Sequence, residues 1–333
     1  MTIRLGVLST AHPHCHEYVS AVGEIDGADV VAVADEDDER GREFADEHGL
    51  EYGSTDEVLE RIDAGVVCAA NVDHGEWVRA AADAGVDVLC EKPLAPTAAE
   101  AGELVDVCED AGVTLAVAMP VRFSEPIRQA KAALEDGAVG ELQAIVGTNL
   151  LQRMAGGTWF TDPDRSGGGA IMDHSVHVVD LARWLTGQEV TEVYTETGTH
   201  FSDIAVEDID VLSMELADGT IVSHDGSWRQ PDSWDFWGDV TMRLIGTEGV
   251  LEVDCFDQTF TETRDTGDDP GMESIYWGTD MNEYLVRDFV DAVRDGSEPA
   301  IPGEDGVRET RVVEAAYESA ETGMPVEIEY ELE

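Results

Sequence analysis

Up to about residue 120 the chain repeats one pattern, a short and nearly unbroken apolar run followed by a longer amphipathic stretch. The apolar runs lie at 3–8, 29–34, 65–69, 86–90 and 114–118. The stretches between them predict helices ending near Val22, His48 and Ala84 and one, rich in Ala and Glu, over 98–111. Strands without polar alternation need cover on both faces, and helical crossovers supply it. The pattern therefore predicts an α/β fold with a doubly wound parallel sheet. Beyond about Arg122 the period changes. A helix is predicted over 126–136, strands over 142–152 and 190–199, and then two hairpins: 212–217 with 221–228 around Asp218-Gly219, and 241–245 with 250–255 around Gly246-Thr247-Glu248-Gly249. A helix over 280–295 opens on the capping pair Asp280 and Glu283, and a last helix spans 304–321. The segment 263–271 reads as a polar, exposed loop. Two domains follow, 1–121 and 122–333, the second an α/β domain on an open, mainly antiparallel sheet.

Composition narrows the setting. The 333 residues carry 73 Asp+Glu against 19 Lys+Arg, a formal net charge of -54. Self-repulsion of that size destabilises a compact state in dilute salt, whereas molar salt shortens the screening length to about 3 Å, so a salt-adapted protein is expected. A disordered acidic chain is excluded by the 43% of hydrophobic residues and their periodic placement. The field repels nucleic acid and anionic membranes, so neither is an expected partner. No apolar run approaches the roughly 18 residues of a membrane span, and Met1 leads directly into the first strand without a signal-like stretch. The five cysteines, Cys15, Cys68, Cys90, Cys108 and Cys255, are odd in number and widely spaced, and read as buried thiols. A soluble cytoplasmic protein is expected.

The chemistry concentrates at two places. Lys92, one of only two lysines with Lys131, directly follows the strand at 86–90 in Glu91-Lys92-Pro93. Sheets of this kind bind ligands at that end of the strands. Farther on, Gly167-Gly168-Gly169 opens a predicted amphipathic helix in which Asp173 and His177 lie about 40° apart and Asp180 follows at i+3. Glycines ahead of them admit another backbone or a ligand. A metal site of Asp173, His174 and His177 is disfavoured, because the two histidines are i,i+3 rather than i,i+4. Lys92, Asp173 and His177 together supply what alcohol oxidation needs, groups that take the hydroxyl proton as hydride leaves carbon. An imidazole titrates near about 6.5, while an amine at about 10.4 needs burial or a neighbouring cation to serve as base.

With these residues in view, the chain resembles the glucose-fructose oxidoreductase/inositol dehydrogenase (Gfo/Idh/MocA) family over nearly its whole length. The matching pieces are Glu91-Lys92-Pro93, the glycine run with Asp173, His177 and Asp180, Arg122-Phe123, Pro302-Gly303-Glu304-Asp305-Gly306, and Ala315-Ala316-Tyr317-Glu318-Ser319-Ala320. The resemblance implies an N-terminal Rossmann domain and a nicotinamide cofactor with a sugar, polyol or inositol-like substrate. It implies Lys92 at the nicotinamide and the reacting hydroxyl, His177 as acid/base, and Asp173 orienting it or the substrate. Arg122, Trp159 and His174 are expected on the substrate side. Lys92-Pro93 is an expected cis peptide, and dimers or tetramers form through the open sheet.

The nucleotide turn departs from the family's Gly-x-Gly-x-x-Gly. Ser9, Ala11 and His14 stand in the glycine places, with Thr10 and His12 between them. Small Ser9 and Ala11 still allow close approach, and hydroxyls of Ser9 and Thr10 or the His12 ring offer bonds to phosphate. His14 is expected to hold its helix farther out. A metal site at His12, His14, Cys15 and His16 is disfavoured, since one tight loop rarely aims four side chains at a point. Asp35, at the end of the second strand, is the expected ribose ligand and favours NAD over NADP. Asn71 and His74 resemble the family's Pro-Asn-x-x-His segment, with Ala70 in place of the proline, and with Glu91 are expected at the cofactor. Trp228, Trp234 and Trp237 are as readily packing residues as sugar-stacking ones. The expected activity is an NAD(P)-dependent oxidoreductase. An NAD-using glycoside hydrolase and a non-catalytic ligand sensor are the alternatives.

Overall fold

The computed structural model describes residues 2–234, 238–256, 259–264, 271–276 and 278–330. Two compact units emerge, and neither is one continuous stretch of chain. The first takes Met1–Pro120, Asp162–Gly167 and Asn282–Arg311, the second Val121–Thr161, Gly168–Met281 and Val312–Glu333.

The first unit alternates β1 (Ile3–Leu8), α1 (His14–Gly23), β2 (Ala28–Ala34), α2 (Asp38–His48), β3 (Glu51–Tyr52), α3 (Thr55–Leu59), β4 (Ala64–Val67), α4 (His74–Asp83), β5 (Asp87–Glu91), α5 (Ala98–Ala111) and β6 (Leu115–Ala118). The six strands are parallel in the order β3-β2-β1-β4-β5-β6, so the order reverses between β1 and β4 and the loops after them flank the switch point. Local chemistry sets the helix ends. Asp37 accepts from the Glu39 and Arg40 amides at the start of α2, Thr97 caps α5, and Gly49 and Gly112 close the two helices in the left-handed conformation. Helix α1 differs, because Pro13 at its start offers no side-chain cap.

In chain order the remainder comprises α6 (Glu125–Glu135), β7 (Leu142–Thr148), α7 (Pro163–Ser166), a π-helical turn (Ile171–Ser175), α8 (Val176–Thr186), β8 (Val190–Gly198), β9 (Ile209–Leu216), β10 (Ile221–Asp225), β11 (Thr241–Gly246), β12 (Val250–Asp254), β13 (Thr259–Arg264), β14 (Gly271–Tyr276), α9 (Met281–Asp295), α10 (Gly303–Thr322) and β15 (Val326–Glu327). The second unit's main sheet has seven strands in the order β12-β11-β7-β10-β9-β8-β15. Among the described residues only β7 and β10 pair in parallel in it, in keeping with the expected mainly antiparallel sheet. Helix α8 lies directly on it: a Cβ at Gly147 would stand 2.7 Å from Val178.

Three differences from the sequence pattern carry information. The predicted strand over 142–152 stops at Thr148, leaving only isolated bridges at Leu151 and Gln152. The expected loop over 263–271 runs into strand at both ends, where β13 and β14 pair, and 265–270 lie outside the described residues, as does Trp237. The stretches 162–167 and 282–311 pack in the first unit rather than with their sequence neighbours. Leu285, Val286, Phe289 and Val290 of α9 are buried there, and Val117 donates its amide to the Ile301 carbonyl at 3.0 Å. All five cysteines are free and buried.

Candidate active site

In the first unit the turn after β1 keeps its shape without its glycines. Ser9 is fully buried at φ +66°, the left-handed conformation that glycine ordinarily supplies. Its amide donates to the Ala34 carbonyl at 2.8 Å. Thr10 donates both amide (2.7 Å) and hydroxyl (2.5 Å) to Oδ2 of Asp35. The Ala11 amide reaches Ser9 Oγ at 3.3 Å, and that of His12 reaches the Cys68 carbonyl at 2.8 Å. His12 Nδ1 then accepts the His14 amide at 3.2 Å, supplying the cap that Pro13 lacks.

Asp35 is spent inside the protein. Its enclosed carboxylate accepts from Thr10 twice, from the Asp37 amide (2.7 Å), and from Nε (3.1 Å) and Nη2 (2.6 Å) of Arg40. Two carboxylate oxygens offer about four lone-pair directions, so these five bonds saturate them. The expected ribose ligand thus holds the loop and Arg40, and a ribose hydroxyl must displace one of them. Asn71 donates Nδ2 to the Ser166 carbonyl at 2.9 Å, tying α7 to the sheet edge. Arg165 of α7 pairs with Asp73 at 2.9 Å and lies 3.7 Å from Glu36. His74 is fully enclosed, and burial lowers its pKa, so its single N–H belongs to the shorter contact, Nδ1 to the Pro93 carbonyl at 2.9 Å. It supports the peptide beyond Lys92 and presents no surface to a cofactor.

Glu91 is likewise completely buried. Oε1 accepts from the Tyr18 hydroxyl (2.5 Å) and from His14 Nδ1 (2.8 Å), while Oε2 accepts the Lys92 amide (3.0 Å). Burial alone would raise its pKa, but the neighbouring His12 and His14 rings, the His14 hydrogen bond and Lys92 outweigh it and hold Glu91 well below the usual carboxylate range. The His14 ring is turned toward Glu91 and held there by this bond. Lys92 is 3% exposed, and its bond to Pro93 is cis as expected.

In the second unit, the expected α-helix after the glycine run begins instead as the π-helical turn Ile171–Ser175 and becomes α-helical at Val176. The 40° relation between Asp173 and His177 therefore does not apply, since a π turn carries an extra residue. The turn still gathers Asp173, His174 and His177, each 7% exposed. The His174 and His177 rings lie 6.2 Å apart, and Asp173 Oδ2 is 3.4 Å from His174 Nδ1. That nitrogen accepts the indole N–H of Trp228 at 2.9 Å, which places the ring proton on Nε2. Trp228 is fully buried in a cluster with Ala170 and Val206, so its part is to hold His174.

The glycines admit the chain's own backbone. A Cβ at Gly168 would stand 2.0 Å from the Tyr317 hydroxyl oxygen, and one at Gly169 2.2 Å from the Glu207 carbonyl. Glu207 Oε1 accepts the amides of Gly169 (2.9 Å) and Ile171 (3.2 Å) and the hydroxyl of Tyr317 (2.7 Å), capping the turn. Ser175, at the turn's far end, donates to Oδ2 of buried Asp210 at 2.6 Å. The glycine run signalled close approach, but nothing local in the sequence named Glu207, Asp210 or Tyr317 as the groups approached. Arg122, expected at the substrate, is 7% exposed and directs Nε to both oxygens of Asp180 at 2.9 and 3.0 Å, anchoring α8. Trp159 is half-buried and stacks on Phe160 at 3.8 Å.

The first unit's residues fit a nicotinamide dinucleotide in the conformation of the Ser9 turn, in the switch-point position of the loops and in the buried lysine at the strand end. Comparison with known proteins agrees. Residues 11–119 match the family described as "Oxidoreductase family, NAD-binding Rossmann fold", and 127–252 match "GFO/IDH/MocA C-terminal domain". The chain is 32% identical to D-xylose 1-dehydrogenase (NADP(+)) 2 of Haloferax volcanii, over 97% of this chain and 99% of that one. It is 28% identical to myo-inositol 2-dehydrogenase of Thermotoga maritima, over 98% and 97%. Among solved structures it superposes on GenD2 from gentamicin A biosynthesis in complex with NAD with a TM-score of 0.90, at 26% identity and covering 99% and 97%.

Proposed function

The chain belongs to the Gfo/Idh/MocA family of nicotinamide-dependent oxidoreductases, and on that premise we propose that it interconverts a secondary alcohol of a sugar, polyol or inositol-like substrate and the corresponding ketone or lactone. The observation that carries this reading is Lys92, an amine 3% exposed at the C-terminal end of β5 in a chain otherwise nearly devoid of lysine. The bound nicotinamide supplies a hydride acceptor at its C4. Lys92 orients the substrate hydroxyl, His177 takes the hydroxyl proton as the C–H bond gives up its hydride, and Asp173 positions the imidazole or the substrate. Trp159 and His174 bound the substrate. The xylose and inositol dehydrogenases among the relatives support the substrate class. NAD is the proposed physiological cofactor, with NADP the weaker one. The purified protein incubated with NAD and a panel of aldoses and inositols should raise absorbance at about 340 nm with at least one of them. A glycoside hydrolase holding NAD would release free sugar with no net change, and a sensor would do neither.

The partly exposed Val146 (42%), Val211 (43%) and Ile221 (45%) on the outer face of the seven-stranded sheet support self-association there as a dimer or tetramer. Five buried, free thiols support a reducing, cytoplasmic setting. Among the described residues no helix is long and apolar enough to cross a membrane. A net charge of -54 and a relative from Haloferax volcanii support adaptation to high salt. The melting temperature should be clearly higher in molar KCl than in dilute buffer, and equal melting in both would remove the salt-adapted reading.

A further inference from the structure

We propose that the cofactor's pyrophosphate is bound in this chain by imidazoles, His14 foremost with His12 behind it, in place of the loop amides that a glycine turn presents. The inference rests on the oxidoreductase reading and concerns how that enzyme holds its dinucleotide.

The loop's own hydrogen bonding is the first ground. From Ser9 to His16 every backbone N–H already has a partner within the protein. Ser9 donates to Ala34, Thr10 to Asp35, Ala11 to Ser9 Oγ, His12 to Cys68, His14 to His12 Nδ1, Cys15 to the His12 carbonyl and His16 to the Pro13 carbonyl, while Pro13 has no N–H to give. A phosphate oxygen meeting those amides must first displace an internal acceptor. In a glycine turn the same amides point at the ligand.

Charge is the second. A pyrophosphate brings two negative charges to a chain already at -54. The guanidinium that reaches Asp35, that of Arg40, is committed to Asp35 and Glu36. His14 is placed to supply the cation. Its Nδ1 is clamped on the buried Glu91 at 2.8 Å, which directs the remaining ring N–H, at Nε2, away from the carboxylate. The ring is a quarter exposed whereas Glu91 is not exposed at all, so the pair presents an imidazole edge to solvent. Burial works against a charge on His14, but Glu91 more than offsets it and the ring's pKa is raised. Charged neighbours facing the ring are Glu91 from β5, Glu17 from its own helix, and Lys92. His12 and Tyr18 adjoin it edge-on at centroid distances of 4.3 and 5.9 Å. A hydrogen bond from a charged donor to phosphate is stronger than one from a neutral amide.

The test is direct binding of NAD by calorimetry in molar salt, between pH 6 and 9, with wild type, His14→Gln and His14→Gly. The proposal expects wild-type affinity to fall by about tenfold or more across the range as the ring loses its proton. His14→Gln should bind about as weakly at pH 6 as wild type does at pH 9. His14→Gly, which restores the glycine, should also bind more weakly than wild type at pH 6. Should the variants fail to fold, wild type alone decides: binding above neutral pH must take up protons, seen as a dependence of the measured heat on buffer ionisation enthalpy. Tighter binding by His14→Gly, or an affinity independent of pH with no proton uptake, overturns the proposal and leaves the oxidoreductase reading intact. A wild-type protein that binds no nicotinamide dinucleotide at any pH overturns both.

Discussion

Replacing Lys92 by Ala, or His177 by Ala, should lower turnover by about 10² to 10⁴, with substrate and cofactor binding changed far less. The magnitude follows from the roles proposed for the two groups. Each is nearly enclosed, at 3% and 7% exposure, so water does not readily replace the missing amine or imidazole. Proton removal then falls to whatever base remains. Lys92 sits in the first unit and His177 in the second, which makes the double variant the informative one. If both serve one proton transfer, removing the second costs little once the first is gone, and the double variant resembles the worse single variant. Independent losses that multiply would mean that the two residues act in separate steps. Unchanged kinetics in both single variants would remove the catalytic assignment altogether. Stopped-flow measurement of hydride transfer at saturating substrate separates these outcomes from slower product release.

The place of Lys92 at the end of a buried parallel strand was legible in the sequence, because it closes an apolar run between helical stretches. The alternation of the first 120 or so residues likewise revealed the parallel sheet, since helical crossovers leave no other economical way to cover apolar strands. What stayed hidden depends on contacts distant in sequence. Asp35 stands where a ribose ligand belongs, yet whether its oxygens are available is decided by Thr10 and Arg40. The glycines before Asp173 announced a close approach, but the approaching groups are Glu207 and Tyr317. Counting at 100° per residue missed the π turn because an extra residue in one turn leaves the apolar pattern of the following helix intact. The strands β13 and β14 escaped because they flank the polar, acidic stretch 265–270, which reads as loop. Arg122 was expected on the substrate side, and its guanidinium is buried against Asp180 of α8, a partner 58 residues away that no local pattern names.

The second large effect concerns a buried pair beside the π turn. Asp210 and His224 are enclosed side by side, His224 Nε2 lying 3.7 Å from the same Asp210 oxygen that accepts from Ser175. Burial pushes the Asp210 carboxyl up from 3.8 to about 7, with Glu207 and Asp225 adding to it, and burial pushes the His224 imidazole down from 6.5 to about 4. Between about pH 4 and 6.5 an unfolded chain holds this pair as carboxylate and imidazolium, whereas the folded chain holds it as neutral acid and neutral base. Folding moves one proton from the ring to the carboxyl, and the count of bound protons does not change. A raised carboxyl loses its stabilising contribution as pH rises from 3.8 toward 7. A depressed imidazole loses its contribution as pH falls from 6.5 toward 4. In wild type the two slopes cancel over the shared window, so the pair is visible only when one member is removed. Relative to wild type, Asp210→Asn should gain stability as pH rises from 4 to 7, by up to about 4 kcal/mol. His224→Gln should lose it from 4 to 6.5, by up to about 3 kcal/mol. Denaturant melts of the three proteins across pH in constant molar salt give these difference curves directly, with the many surface carboxylates common to all three. Difference curves that are both flat would show that folding shifts neither group. The neutral arrangement also matters to the site, because it keeps a full negative charge from sitting against Ser175, next to the turn that carries Asp173 and His174. Asp210→Asn, which still accepts the Ser175 hydroxyl, should therefore retain activity that Asp210→Ala loses.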